Sequence, residues 1–107
     1  MIKLGTDIIL IGDKQYTRLS LNWFDICGDA TITGPDDFNK LKICSIHTEG
    51  YLYSVEMVEG REVVKTFASY QCQDDIGFGD RNVYPIEVFS LDSQKKIRKA
   101  WKKQSNE

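Results

Sequence analysis

LKICSIHTEGYLYSVEMVEGREVVKTFASY, residues Leu41 to Tyr70, is the stretch whose reading decides the fold of this chain. Apolar and polar side chains alternate through it, as they do in strands that turn one face to a core. Two Glu-Gly pairs punctuate it. The pattern predicts a three-stranded antiparallel meander: Leu41–Thr48, a turn at Glu49-Gly50, Tyr51–Val58, a turn at Glu59-Gly60, and Arg61–Tyr70. Tyr51, Tyr53, Val55 and Met57 share one face of the middle strand. In the third strand Val63 and Phe67 share a face, while Val64, Thr66 and Ala68 form the other. Both faces are therefore partly apolar, so the sheet packs on something or curls into a barrel.

Upstream, Ile2, Leu4 and Ile8–Ile11 read as a first strand bent at Gly5, followed by a turn at Gly12-Asp13. Gln15 to Phe24 alternates again, with Leu19, Leu21 and Trp23 on one face and Arg18, Ser20 and Asn22 on the other. Cys27-Gly28-Asp29 breaks that run before the short β-branched stretch Ala30–Thr33. Pro35 to Leu41 reads as a short helical turn, since proline suits the first helical position and acids suit the helix N-terminus.

Downstream, Gln71 to Asn82 is a polar, glycine-containing loop, and Val83 to Phe89 resumes the alternation. Pro85 marks the latter as an edge strand, because proline cannot donate to a ladder. Ser90 to Ser93 then offers N-caps for a helix over about 91–104. Ile97, Ala100 and Trp101 form its contact strip at i, i+3, i+4. The expected fold is α+β and mainly β: a small antiparallel sheet or barrel of about six to seven strands closed by a C-terminal helix, in one domain spanning 1–107. About seven strands and then a helix carrying Trp101 resembles the order in pleckstrin-homology-type barrels. The first hairpin holds only Lys14 and Arg18, with no basic cluster of the phosphoinositide-reading kind, so the likeness extends to architecture alone.

The 107 residues are 41% hydrophobic and 11% aromatic, which excludes a disordered or low-complexity chain. The formal net charge of −2 excludes a uniformly basic nucleic-acid coat. It also averages two unlike regions. Residues 1–92 hold 8 basic and 15 acidic groups, net −7, and residues 93–107 hold 6 basic and 1 acidic, net +5. No apolar run approaches the ~20 residues of a membrane helix. Ile8–Ile11 is too short for a signal-peptide core, and a cytoplasmic location is expected. Three cysteines, Cys27, Cys44 and Cys72, are odd in number and widely spaced. They read as reduced, buried thiols rather than a disulfide framework.

No pattern of residues requires a metal or cofactor. Cys44 and His47 stand at C-x-x-H spacing and could join Cys27 and Cys72 as zinc ligands. On a strand, however, positions 44 and 47 point to opposite faces, and Ser45-Ile46 lacks turn chemistry. A Cys-His nucleophile has no activating basic cluster, and no catalytic signature is present. Gly77-Phe78-Gly79 is only part of a phosphate cradle, and Asp74, Asp75 and Asp80 miss the calcium-loop spacing.

Two surfaces remain as candidate sites. In the acidic loop Asp74, Asp75, Ile76, Phe78 and Asp80 combine charge with apolar anchors, which either tuck onto the sheet or meet a partner. In the helix Lys95, Lys96, Arg98, Lys99, Lys102 and Lys103 place six of the fourteen basic residues within nine positions. They form either a solvated face or a stripe that docks an acidic surface. The expected function is a non-enzymatic protein-interaction module, an accessory, inhibitor or immunity-like protein. The alternative is nucleic-acid binding through the basic helix, with Tyr51 and Tyr53 as a stacking surface. A small enzyme or ligand-binding barrel using His47 and the 74–80 loop stands third. The partner expected is a protein, with a homodimer through the Pro85 strand also considered and no membrane.

Overall fold

In the computed structural model, which describes residues 2–4, 7–26 and 30–106, alternation has become a meander of antiparallel strands. The elements are β1 (Ile2–Leu4), β2 (Ile8–Ile11), β3 (Lys14–Asp25), α1 (Pro35–Lys40), β4 (Cys44–Val58), β5 (Arg61–Phe67), β6 (Ser69–Gln71), β7 (Gly77–Gly79), β8 (Asn82–Pro85) and α2 (Leu91–Ser105). A 3-10 turn at Ile86–Val88 joins β8 to α2. The main sheet runs β1-β2-β3-β4-β5-β8, with β6 and β7 pairing separately as a small hairpin. The sheet is not closed: β1 and β8 are its two ends, so the barrel suggested by strand order is not formed.

Several local expectations are corrected. The first strand is two, since β1 folds back antiparallel on β2 with Lys3 opposite Ile9. The third strand of the meander ends at Phe67, after which β6 leaves the sheet to pair with β7 inside what reads as a loop. Glu49-Gly50 is not a turn: β4 runs straight through it as one 15-residue strand. Gly50 serves another purpose there. A Cβ there would lie 3.1 Å from the Phe67 carbonyl oxygen, tighter than ordinary contact, so a side chain would press β5 back by a few tenths of an ångström. Glu59-Gly60 does turn, with φ of 51° and 79°, the doubly positive combination that matches strand twist in a two-residue hairpin.

The two faces of the sheet are covered by different elements. On β3 the odd positions Leu19, Leu21 and Trp23 pack in a core with Leu52, Val64, Tyr84, Phe89, Ile97 and Ala100, under α2. The opposite face carries Ile9, Ile11, Tyr16 and Phe67, with Tyr51, Tyr70 and Phe78 packed against them. The β6–β7 hairpin is the lid of this second core, which explains why a polar loop carries Phe78. A register shift between Leu52 and Ser54 breaks the expected face at Tyr53, leaving Leu52 and Ser54 as the buried positions.

Polar contacts fix α2 in place. Ser90 caps its start, its side chain accepting from the Ser93 N–H. Ser93 is buried, and its Oγ accepts the Asn22 N–H at 2.8 Å while the Asn22 carbonyl accepts the Ser90 N–H at 2.9 Å. At the other end Gln104 accepts from the Thr17 N–H at 2.9 Å and donates to the Leu52 carbonyl at 2.9 Å. The start of the helix thus covers the edge of β3 left open where β2 ends, while Gln104 bridges the opposed residues Thr17 and Leu52 of β3 and β4.

The molecule is elongated, 56 × 29 × 27 Å with a radius of gyration of 17.1 Å. A compact chain of this length has about 13 Å. The cause is the β3–β4 ribbon, paired from Thr17↔Leu52 to Asp25↔Cys44, which outruns both covering layers.

Candidate interaction surfaces

Phe78 lies in an aromatic cluster, its ring centroid 4.7 Å from Phe67, 5.2 Å from Tyr53 and 5.6 Å from Tyr16. Burial, then the neighbouring Tyr53 and Asp13, raise the Tyr16 pKa above its ordinary value. Phe78 is therefore an anchor for the loop. Asp74, Asp75, Ile76 and Asp80 of the same segment stay at the surface or its margin, with Asp74 and Asp80 at positive φ. Beside this cluster an open cleft of about 650 Å³ is lined by Tyr53, Phe67, Phe78, Lys65 and Arg81 among others. Lys65 is already engaged there, 3.0 Å from Glu56, whose pKa is lowered by hydrogen bonds from Ser54 and Lys65.

His47 is elsewhere. It stands opposite Asn22 on the ribbon, whereas Phe78 packs on Tyr16, six β3 residues away, or about 20 Å of strand. The structure does not bring His47 and the 74–80 carboxylates together. His47 lies in an exposed polar row, with Nδ1 2.9 Å from Asn22 Oδ1 and Nε2 3.9 Å from Glu49, which Arg18 also contacts at 2.5 Å. Cys44 and Cys72 are free and exposed, which corrects the expectation of core thiols; Cys27 lies outside the described residues. The reason is position. Cys44 begins β4 on the projecting ribbon, and Cys72 follows β6 in the loop. Among the described residues no three His, Cys, Asp or Glu are grouped to hold a metal ion.

The basic residues of α2 divide into two sets. Arg98 donates to Glu62 at 2.8 Å, a bond that raises its pKa, and Lys96 reaches the Ser20 carbonyl at 3.4 Å. Lys95, Lys99, Lys102 and Lys103 are exposed and make no ion pair among the described residues. Their i, i+4, i+7, i+8 spacing aligns them on the side opposite Ser93, Ile97 and Ala100. No helix among the described residues is long and apolar enough to cross a membrane.

One surface was not singled out from sequence. Six of the twelve large hydrophobic side chains exposed among the described residues fall between 24 and 43: Phe24, Ile26, Ile32, Phe38, Leu41 and Ile43. Ile32 is 98% exposed and Phe38 70%. α1 buries none of its residues, and together with 31–34 and Leu41 it borders an open cleft of about 620 Å³. The available signal was an apolar content without strand or helix period in a segment rich in turn residues. No family model, curated protein or solved structure matches the chain.

Proposed function

We propose that the protein is a non-enzymatic, cytoplasmic protein-interaction module that binds its partner through the apolar arm carrying Phe24, Ile26, Ile32, Phe38, Leu41 and Ile43. The concentration of exposed apolar side chains there is the observation behind this reading. Such a patch costs solubility and adds nothing to the chain's own core, the usual condition of a surface held for association. The acidic 74–80 loop lies at the far end of the ribbon and serves as a secondary contact.

The test is an Ile32→Ser, Phe38→Ser double variant. Since neither side chain is buried, stability is expected to stay within about 0.5 kcal/mol. A partner captured from host extract by the wild type is expected to be lost. Equal capture by both proteins, with that partner identified, removes the arm as the binding surface.

A second reading, nucleic-acid binding, is favoured by the four exposed lysines aligned on α2. It expects retention on heparin or random DNA that falls steeply with salt. It also expects the loss of that retention when Lys95, Lys99 and Lys102 are changed to Ala. The net −7 of residues 1–92 works against it by repelling a phosphate backbone.

A further inference from the structure

The projecting ribbon has an open strand edge. Asn22 donates its N–H to Ser93 and accepts from Ser90, so its main chain is turned away from β4. In an antiparallel pair, residues directly opposite share that orientation. His47, opposite Asn22, therefore turns its N–H and C=O away from β3 as well. So do its neighbours two residues either way, Ser45 and Glu49. On that side β5 begins to pair only at Tyr51, because β6 has left the sheet. Among the described residues, the main-chain groups of Ser45, His47 and Glu49 have no hydrogen-bond partner on that side.

Edges of this kind are normally blunted by proline, lysine, a bulge or a covering element. The run at 44–49 has none of these: no proline or lysine, an uninterrupted register against β3, and α1 burying nothing. Its one charge, Glu49, is held by Arg18. The side chains that do alternate along it, Ile46 and Thr48, are β-branched and favour pairing.

From this geometry we infer that β4 pairs antiparallel with β4 of a second copy of this chain, about a two-fold axis at Ile46. The register follows from orientation and side chains. Outward-facing residues must meet outward-facing residues, so the axis passes through a residue rather than between two. Placing it at His47 would set two imidazoles against each other and would press Cys44 on the partner's Gly50, where the Phe67 carbonyl already crowds the backbone. Placing it at Ile46 sets Ile46 against the partner's Ile46, a β-branched pair, and joins Ser45 to the partner's His47 by two main-chain bonds on each side of the axis. A second copy is the occupant because the same short run supplies both halves and the exposed Phe24 and Ile43 flank it. The inference is independent of the partner role given to Ile32 and Phe38, which stay outside the paired edge.

The experiment is sedimentation equilibrium from about 1 µM to about 500 µM, a range suited to a small edge interface, with a cross-link to fix the register. The wild type is expected to dimerise. His47→Pro removes an outward N–H without touching the β3 ladder, and is expected to weaken the dimer roughly 100-fold with an unchanged circular dichroism spectrum. Should that variant unfold, Ser45→Lys supplies the same block by charge. Opposed residues in a non-bonded pair lie about 4.5 Å apart at Cα, within disulfide reach. Ile46→Cys, in a chain with Cys27, Cys44 and Cys72 changed to Ser, is therefore expected to oxidise to a covalent dimer, while Val83→Cys in the same background is not. A wild type that stays monomeric throughout overturns the proposal. So does a dimer that survives both edge variants, or one in which Ile46→Cys fails to cross-link.

Discussion

Phe67→Ala is expected to destabilise the protein by about 3–5 kcal/mol, the range for removing a large aromatic from a packed core. Phe67 is 1% exposed and stands at the centre of the second core. Its ring lies 4.7 Å from Phe78, 5.2 Å from Tyr16, 5.4 Å from Tyr51, 6.3 Å from Tyr53 and 6.5 Å from Tyr70. Truncation removes the ring on which both the first hairpin and the β6–β7 lid rest, and the rings around it cannot all close on one cavity. At about 4–8 °C per kcal/mol for a domain of this size, the melting temperature should fall by more than about 10 °C. Thermal and urea unfolding measure it. A loss below about 1 kcal/mol would mean that the β6–β7 face adds little and that α2 alone stabilises the sheet.

Ile97→Ala tests the other face and is expected to cost about 2–5 kcal/mol. Ile97 is 0% exposed, between Leu21 and Leu52 of the sheet and the rest of α2. Helix α2 is held by a narrow strip, Ile97, Ala100 and half-buried Trp101, supplemented by Ser93 and Gln104 at its ends. Losing the central residue of that strip therefore weakens the helix that covers this face of the sheet. Lys99→Ala, two residues on and facing water, is expected to change stability by less than about 0.5 kcal/mol. Equilibrium unfolding of the two variants side by side separates the docking strip from the basic stripe. Equal effects would show that α2 is held by something other than its apolar face.

The contrast between the two Glu-Gly pairs shows how far local reading reaches. Both are followed by β-favouring residues, and both look like hairpin turns. At Glu59-Gly60 glycine supplies a positive φ; at Glu49-Gly50 it supplies the absence of a side chain, whose Cβ would lie 3.1 Å from the Phe67 carbonyl oxygen. These are two uses of one residue, and the flanking sequence is compatible with either. The same holds for Phe78. Its place among aspartates and glycines was plain, but whether it faced a partner or the chain's own core depended on Phe67 and Tyr16, distant in sequence.

The uneven charge was legible and has become more specific. The +5 at the C-terminus resolves into Arg98 and Lys96, which tie α2 to the sheet, and four lysines facing water. Helical spacing alone predicts that alignment, since residues i, i+4 and i+7 share a face. The apolar arm was not legible in that way. Ile26, Ile32, Phe38 and Leu41 have no common period, and composition does not distinguish a small satellite core from an exposed patch.

What the sequence determined by itself is whatever depends on neighbours along the chain. It dictates the alternation that makes strands, the Ser90 cap and apolar strip that make α2, and the separation of acidic body from basic helix. Tertiary structure alone decided that β4 passes through Gly50, that the sheet stays open, that the β6–β7 hairpin covers one face, and that the ribbon ends in an uncovered edge and an apolar arm. Backbone dihedrals and side-chain period are set within a few residues. Which strand edge is paired and which face is covered depends on contacts between segments dozens of residues apart, and no local pattern encodes them.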